Sequence, residues 1–279
     1  MTAPVSLLPP VSTVIVGSVA LCILLAVGWF VAGSGQGGEV PAAPTAVADT
    51  LTNSIGMQFV RIEAGSFEMG SNHVSDQRPI HDVQITKPFY ISRFEVTQEQ
   101  WQRVMGTTVE QQRDKADTTW DMRGIGPNFP MYYVSWFEAQ AFVQRLNERE
   151  GTTSYRLPTE AQWEFACRAG SRKNLVPGLN AKAWYGPNAG EQTHPVGLKQ
   201  PNAWGLHDMQ GNVLEWCADW YGAYSAEAQI DPQGLDSGEG RVVRGGGWFL
   251  DAAGCEPAAR RGGDPGKRNS SLGFRVARR

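Results

Sequence analysis

No Asp, Glu, Lys or Arg occurs between Met1 and Gly38 of this 279-residue chain. That absence removes the positively charged start of a cleaved secretory signal and, with it, the Lys/Arg asymmetry from which membrane orientation is ordinarily read. Positive charge is not in excess overall: 25 Lys and Arg against 28 Asp and Glu give a formal net charge of -3, which excludes a nucleic-acid binder working through a global basic field. The four histidines, His73, His81, His194 and His207, form no His-x-x-x-His pair, so the spacing of a histidine-held catalytic metal is missing. No Gly-x-Ser-x-Gly elbow marks a serine nucleophile. The four cysteines are too few for a disulfide scaffold, and no internal repeat divides the chain.

What is present begins with an apolar run. Residues 1–10 form a short N-terminal segment, and Val11 to Ala32 is almost unbroken in Ile, Leu, Val, Ala, Phe and Trp. At 1.5 Å rise per residue this run spans a hydrocarbon core of about 30 Å, so a single transmembrane helix is expected over 11–32. Residues 33–50, with Gly33-Ser-Gly-Gln-Gly-Gly38 and a Pro/Ala stretch, read as a flexible tether. The globular part is expected over 51–279. With a short uncharged segment before the span and a large domain after it, the domain is expected outside the cytoplasm, periplasmic and held at the inner (cell) membrane.

Within the domain, Phe59–Ile62, Gly65–Gly70, Val83–Ile85 and Phe89–Ile91 alternate apolar and polar residues and read as strands. Three helices carry capping signals: Thr97 with Gln100 before Gln98–Met105, Ser135 with Glu138 before Trp136–Asn147, and Thr159 with Gln162 before a helix ending near Arg168. In the second, Phe137, Ala141, Phe142 and Leu146 are expected to face the core. After Ala169 the chain is rich in Gly, Pro, Asn and Trp, the composition of a domain with much irregular backbone. Arg260, Arg261, Lys267, Arg268, Arg275, Arg278 and Arg279 cluster near the end and read as a solvated basic face.

Three separated motifs occur in order: Arg156-Leu-Pro-Thr-Glu160, Gly211-Asn-Val-Leu-Glu-Trp216, and Arg241-Val-Val-Arg-Gly-Gly-Gly-Trp-Phe-Leu250 running through Cys255 to Leu272-Gly-Phe-Arg275. Together they resemble the formylglycine-generating enzyme family, the sulfatase-modifying factors, over roughly Asn53 to Arg275. The resemblance implies a mixed α/β (α+β), C-type-lectin-like fold. In the family's oxidases two cysteines separated by four residues follow the glycine turn and bind copper as thiolates. Here the first position is Leu250, which offers a soft metal no ligand, and only Cys255 remains as a residual catalytic candidate. Gly247 stands at the active-site serine position, and Leu214 at a tryptophan position.

The resemblance also implies a structural Ca²⁺ site with side-chain ligands Asp208 and Glu215 and the carbonyls of Gly211 and Val213, oxygen donors suited to a hard cation. The bland alternative is a set of turn hydrogen bonds with Glu215 in a salt bridge. Read alone, Cys167, Cys217 and Cys255 allow one disulfide and one buried thiol; the family's linkage of the corresponding helix and loop implies Cys167–Cys255, with a lone reactive Cys255 thiol as the rival. The expectation for function is a catalytically degenerate pseudoenzyme, a membrane-anchored binding or accessory subunit of a membrane protein complex, for instance a respiratory or photosynthetic one. The alternatives are an oxidase of protein or peptide substrates, of the formylglycine-generating or pyoverdine-maturation type, and carbohydrate or peptide binding through a lectin-like surface.

Overall fold

The computed structural model describes residues 49–116, 121–174 and 178–279. The expected span Val11–Ala32, the segment before it and most of the tether lie outside them; among the described residues no helix is long and apolar enough to cross a membrane. Twelve short strands and five helices make a mixed α/β domain: β1 Thr50–Thr52, β2 Gln58–Ile62, β3 Gly65–Met69, β4 His81–Ile85, β5 Phe89–Ser92, α1 Gln98–Met105, α2 Val109–Asp114, α3 Trp136–Glu150, β6 Tyr155–Arg156, α4 Glu160–Arg168, α5 Leu179–Lys182, β7 Leu214–Trp220, β8 Gln229–Ile230, β9 Arg241–Arg244, β10 Arg260–Gly263, β11 Leu272–Gly273 and β12 Ala277–Arg278.

The strands form three sheets, ordered β1-β2-β5-β12-β6, β10-β9-β7-β11 and β3-β4-β8. Strand β12 closes the first sheet by pairing antiparallel with both β5 and β6. In the second, β11 pairs parallel with β7, placing Gly273 beside Glu215, while β9 pairs antiparallel and places Arg244 beside the same residue. This middle sheet carries the third sequence motif between the second and the chain's last strands.

The helices start where their capping residues direct. Thr97, Ser135 and Thr159 each accept from the backbone N–H three residues on, while Gln100, Glu138 and Gln162 reach back to the cap, satisfying two orphan donors per helix. Helix α3 runs to Glu150, three residues beyond the expected end, where Gly151 turns left-handed with φ 62°. Its buried stripe is Ala139, Phe142, Val143 and Leu146. Phe137 does not face the core: it is 58% exposed, because two residues of helix rotate it about 200° from Ala139. The largest apolar cluster joins α1, α3 and the middle sheet through Trp101, Phe142, Phe274 and Trp216, with the Trp101 and Phe142 rings stacked at 5.8 Å.

Candidate functional site: an apolar cysteine loop interlocked with a buried acidic loop

Strand β9 ends in a turn that needs glycine. Gly245 and Gly246 adopt φ 97° and 78°, and a Cβ on Gly246 would lie 2.5 Å from Cys255 Sγ. The chain then passes Leu250, whose N–H donates to the Gly247 carbonyl at 3.0 Å and whose own carbonyl accepts from Gly186 at 2.7 Å. Leu250 packs against the cluster of Ala183, Tyr185 and Cys255, with Leu179 beside it. Cys255 is fully buried, and burial pushes its thiol up to about 11. The two positions where the resemblance implies a thiolate pair therefore hold an apolar side chain and a protonated thiol. Such a donor set does not fit Cu(I), which prefers two thiolates.

The structure corrects the expected Cys167–Cys255 disulfide: Cys167, Cys217 and Cys255 are all free, buried thiols. Cys167 lies on α4 in the cluster with Trp163 and Met209 and directs its Sγ to the Met209 carbonyl at 3.7 Å, whereas Cys255 belongs to the separate cluster beneath the glycine turn. Burial raises the Cys167 thiol to about 12.

The second motif folds into an adjoining loop with left-handed backbone at Gly205, Asp208, Gly211 and Asn212. Gly211 has no alternative, since a Cβ there would lie 2.2 Å from the Trp184 carbonyl oxygen. The two loops are bonded to each other: Gly211 N–H donates to the Gly245 carbonyl at 2.6 Å, and Trp248 N–H to the Asn212 carbonyl at 2.9 Å.

Beneath this junction lie three buried carboxylates, Asp208, Glu215 and Glu95, around the single guanidinium of Arg275. Glu215 is held on both oxygens: Oε2 accepts from Trp163 Nε1 and Arg275 Nε at 2.7 Å each, and Oε1 from Arg275 Nη2 at 2.7 Å. Arg275 also donates to the carbonyls of Ser92 and His207. Asp208 Oδ2 accepts from Gly197 N–H at 2.7 Å, while Asp208 Oδ1 is buried without a hydrogen-bond partner. Glu95 accepts from the Asn212 amide at 2.7 Å and the Val213 N–H at 3.1 Å, tying β5's end to the loop.

Burial, reinforced by neighbouring carboxylates, lifts Glu95 well above the usual range, and burial lifts Asp208 to about 6. The cluster is thus short of positive charge. The sequence placed Asp208 and Glu215 together correctly as neighbours; it did not single out Glu95, whose contacts cross more than a hundred residues, nor assign Arg275 as the partner of Glu215.

A second buried network surrounds the first motif. Glu160 accepts from Arg260 Nε at 2.7 Å and Nη2 at 2.9 Å and from Tyr224 OH at 2.9 Å, and it forms an ion pair with Arg244, whose Nε lies 3.0 Å away without a hydrogen bond. Glu164 pairs with Arg244 Nη2 and with Arg168 Nε at 2.8 Å. Arg260 and Arg275 are therefore not on a solvated basic face: they pair with carboxylates inside the domain, because each lies on or beside a strand whose side chains point inward.

As to metal fit, no group of three or more His, Cys, Asp or Glu side chains among the described residues is arranged to enclose an ion. The orphaned Asp208 Oδ1 and the charge deficit nevertheless match what a hard cation would relieve.

The sulfatase-modifying factor enzyme 1-like domain matches this chain over residues 44–279. The formylglycine-generating enzyme of Bos taurus is 37% identical over 172 residues, 54% of this chain and 44% of that protein, so this chain spans less than half of that relative's length. Among solved structures, Treponema denticola variable protein 1 superposes with a TM-score of 0.73 at 32% identity, covering 84% of this chain and 100% of the other. PvdO from Pseudomonas aeruginosa superposes with a TM-score of 0.69 at 28% identity, covering 83% and 98%. From motif to fold to these likenesses, the chain belongs to the sulfatase-modifying factor enzyme 1-like domain family.

Proposed function

We propose that this domain is a non-oxidising member of its family, a binding or structural accessory module that residues 11–32 anchor to a membrane, with the domain on the extracytoplasmic side beside another membrane protein. The observation that carries the loss of oxidase chemistry is the cysteine loop: Leu250 fills the first thiolate position and packs into an apolar cluster with a protonated Cys255. Neither side chain supplies a base, a charge or a second soft ligand. The chemistry of the donor set supports a role in holding rather than oxidising.

In this reading the acidic loop keeps a structural Ca²⁺, with Asp208 as the principal side-chain ligand, Glu215 at its edge and the carbonyls of Gly211 and Val213 completing the set. The orphaned Asp208 Oδ1 and the shortage of positive charge support it. The rival reading, oxidation of a protein or peptide substrate, is favoured by the likeness to formylglycine-generating enzyme and to PvdO.

One experiment separates the two. The full chain, offered Cu(I) and a cysteine-containing sulfatase-type peptide, is expected to retain no stoichiometric copper and to form no aldehyde. Aldehyde that appears with the parent and disappears with Cys255→Ser would establish the oxidase instead. Copurification from native membranes in mild detergent tests the accessory role: recovery of the chain alone, in repeated preparations, counts against it.

A further inference from the structure

Away from both loops, a cavity of about 240 Å³ opens where the N-terminus of α4 meets the ends of β3, β4, β7 and β8. Its polar lining comes from His81, Glu160, Asp219, Tyr224 and Arg260, and its apolar wall from Met69, Trp220 and Leu235.

Most of the charge in that lining is already spent. Arg260 donates through Nε and Nη2 to Glu160 and through Nη1 to the carbonyls of Gly222 and Asp76. Glu160 is held by Arg260, Arg244 and Tyr224. No cationic group is left to receive an anion.

Two acceptors remain. Asp219 is only 4% exposed; its Oδ2 accepts from the Glu160 N–H at 2.7 Å, which orients the carboxyl, and its Oδ1 takes no hydrogen bond from another described residue. His81, also 4% exposed, places Nδ1 3.0 Å from the Pro79 carbonyl. A carbonyl can only accept, so Nδ1 carries a proton; in the neutral imidazole the lone pair is then on Nε2, which has no donor among the described residues. Burial and the Glu160 carboxylate raise Asp219 to about 7, against the opposing pull of the Glu160 and Asp219 backbone N–H groups and of Arg244.

Two oriented, unsatisfied acceptors, aromatic walls and no free cation form the complement of an organic cation on a short apolar stem. We propose that this cavity binds a primary alkylammonium group, with Asp219 as its counter-ion and His81 Nε2 as second acceptor. The group comes either from a free small amine or from a lysine side chain of a partner protein. The cavity is smaller than the usual drug-sized pocket of about 300–1,000 Å³, which suits a ligand of four or five carbons.

The test is ligand-observed saturation-transfer NMR with the full chain in detergent, using n-butylammonium as probe and n-butanol as its neutral counterpart. The cation is expected to bind at least tenfold more tightly than the alcohol. Asp219→Asn, which keeps an acceptor for the helix N–H and removes the charge, should weaken the cation at least tenfold and leave the alcohol unchanged. Should that variant fail to fold, Gln229→Trp fills the cavity from β8 with Asp219 left unchanged in sequence and is expected to abolish the signal. Equal binding of cation and alcohol, or cation binding indifferent to the variants that fold, would overturn the assignment. If Nα-acetyl-lysine N-methylamide binds as well as butylammonium, the site takes a partner's side chain; if it is excluded while butylammonium binds, the ligand is a free amine.

Discussion

The cysteine loop and the acidic loop share backbone hydrogen bonds and yet have opposite chemistry. In the first, Leu250 and Cys255 are part of an apolar cluster, and the one charge carried between them, Asp251, accepts from the Gly254 N–H. In the second, three carboxylates crowd one guanidinium and are kept in place by Trp163, Asn212 and the backbone of Val213 and Gly197. Buried ionic frameworks resist piecemeal change, because deleting one member strands another without water or partner. A ligand pair can be lost to a leucine with no such penalty, since the replacement packs. On the proposed reading, that difference lets the fold keep its architecture while the copper-ligand positions change.

The comparison is broken most forcefully at Glu215. Glu215→Ala leaves Arg275 buried and unpaired and is expected to cost about 3–5 kcal/mol, measured as a loss of urea unfolding free energy. A cost below about 1 kcal/mol would mean that the acidic loop is as dispensable as the cysteine pair.

Metal removal comes next. If Ca²⁺ binds only the folded state, at a hundred times its Kd it adds about 2.7 kcal/mol, so chelation should lower the Tm of the parent and leave Asp208→Ala unmoved. A parent indifferent to chelator, and free of calcium when purified, assigns the loop to hydrogen bonds alone.

The pH dependence of the metal-free protein sharpens the same point. Asp208 titrates near 6 when folded against 3.8 as its ordinary value, so the folded state holds the extra proton between roughly pH 4 and 6. Stability is therefore greatest below that window and is lost as pH rises through it, by roughly 2–3 kcal/mol at most from this group. The stability difference between parent and Asp208→Asn, followed by chemical denaturation in chelator from pH 4 to 8, should shift in favour of the variant as pH rises.

The smallest effect is expected at the cysteine loop. Leu250→Cys restores two thiols separated by four residues; stability should change by about 1.5 kcal/mol or less, while equimolar Cu(I) binding appears where the parent shows none. Failure of the variant to take up Cu(I) would show that the loop has lost the geometry as well as the ligand.

Much of this was readable in the sequence where the signal was local. Thr97, Ser135 and Thr159 announced their helices because a cap acts three residues away. Helix α2 went unrecognised although Thr108 and Gln111 form the same box, because only Val109 follows to suggest an apolar period. The neighbouring positions of Asp208 and Glu215 came from one motif, whereas Glu95 reaches that loop from 117 residues away and no spacing rule connects them. Phe137 was assigned inward because its type is apolar; only the packed face of α3 shows that it lies on the opposite side. The Cys167–Cys255 disulfide was implied by the family resemblance, and it fails here because the two thiols lie in separate clusters.

Gly246 and Cys255 constrain one another sterically. A Cβ at Gly246 would meet the sulfur at 2.5 Å, so the turn and the thiol gauge each other's size. Substituting Cys255 with anything bulkier would lift the turn and, through Gly245, pull on Gly211. In this chain, steric fit against the glycine turn gives Cys255 a structural role that needs no redox chemistry.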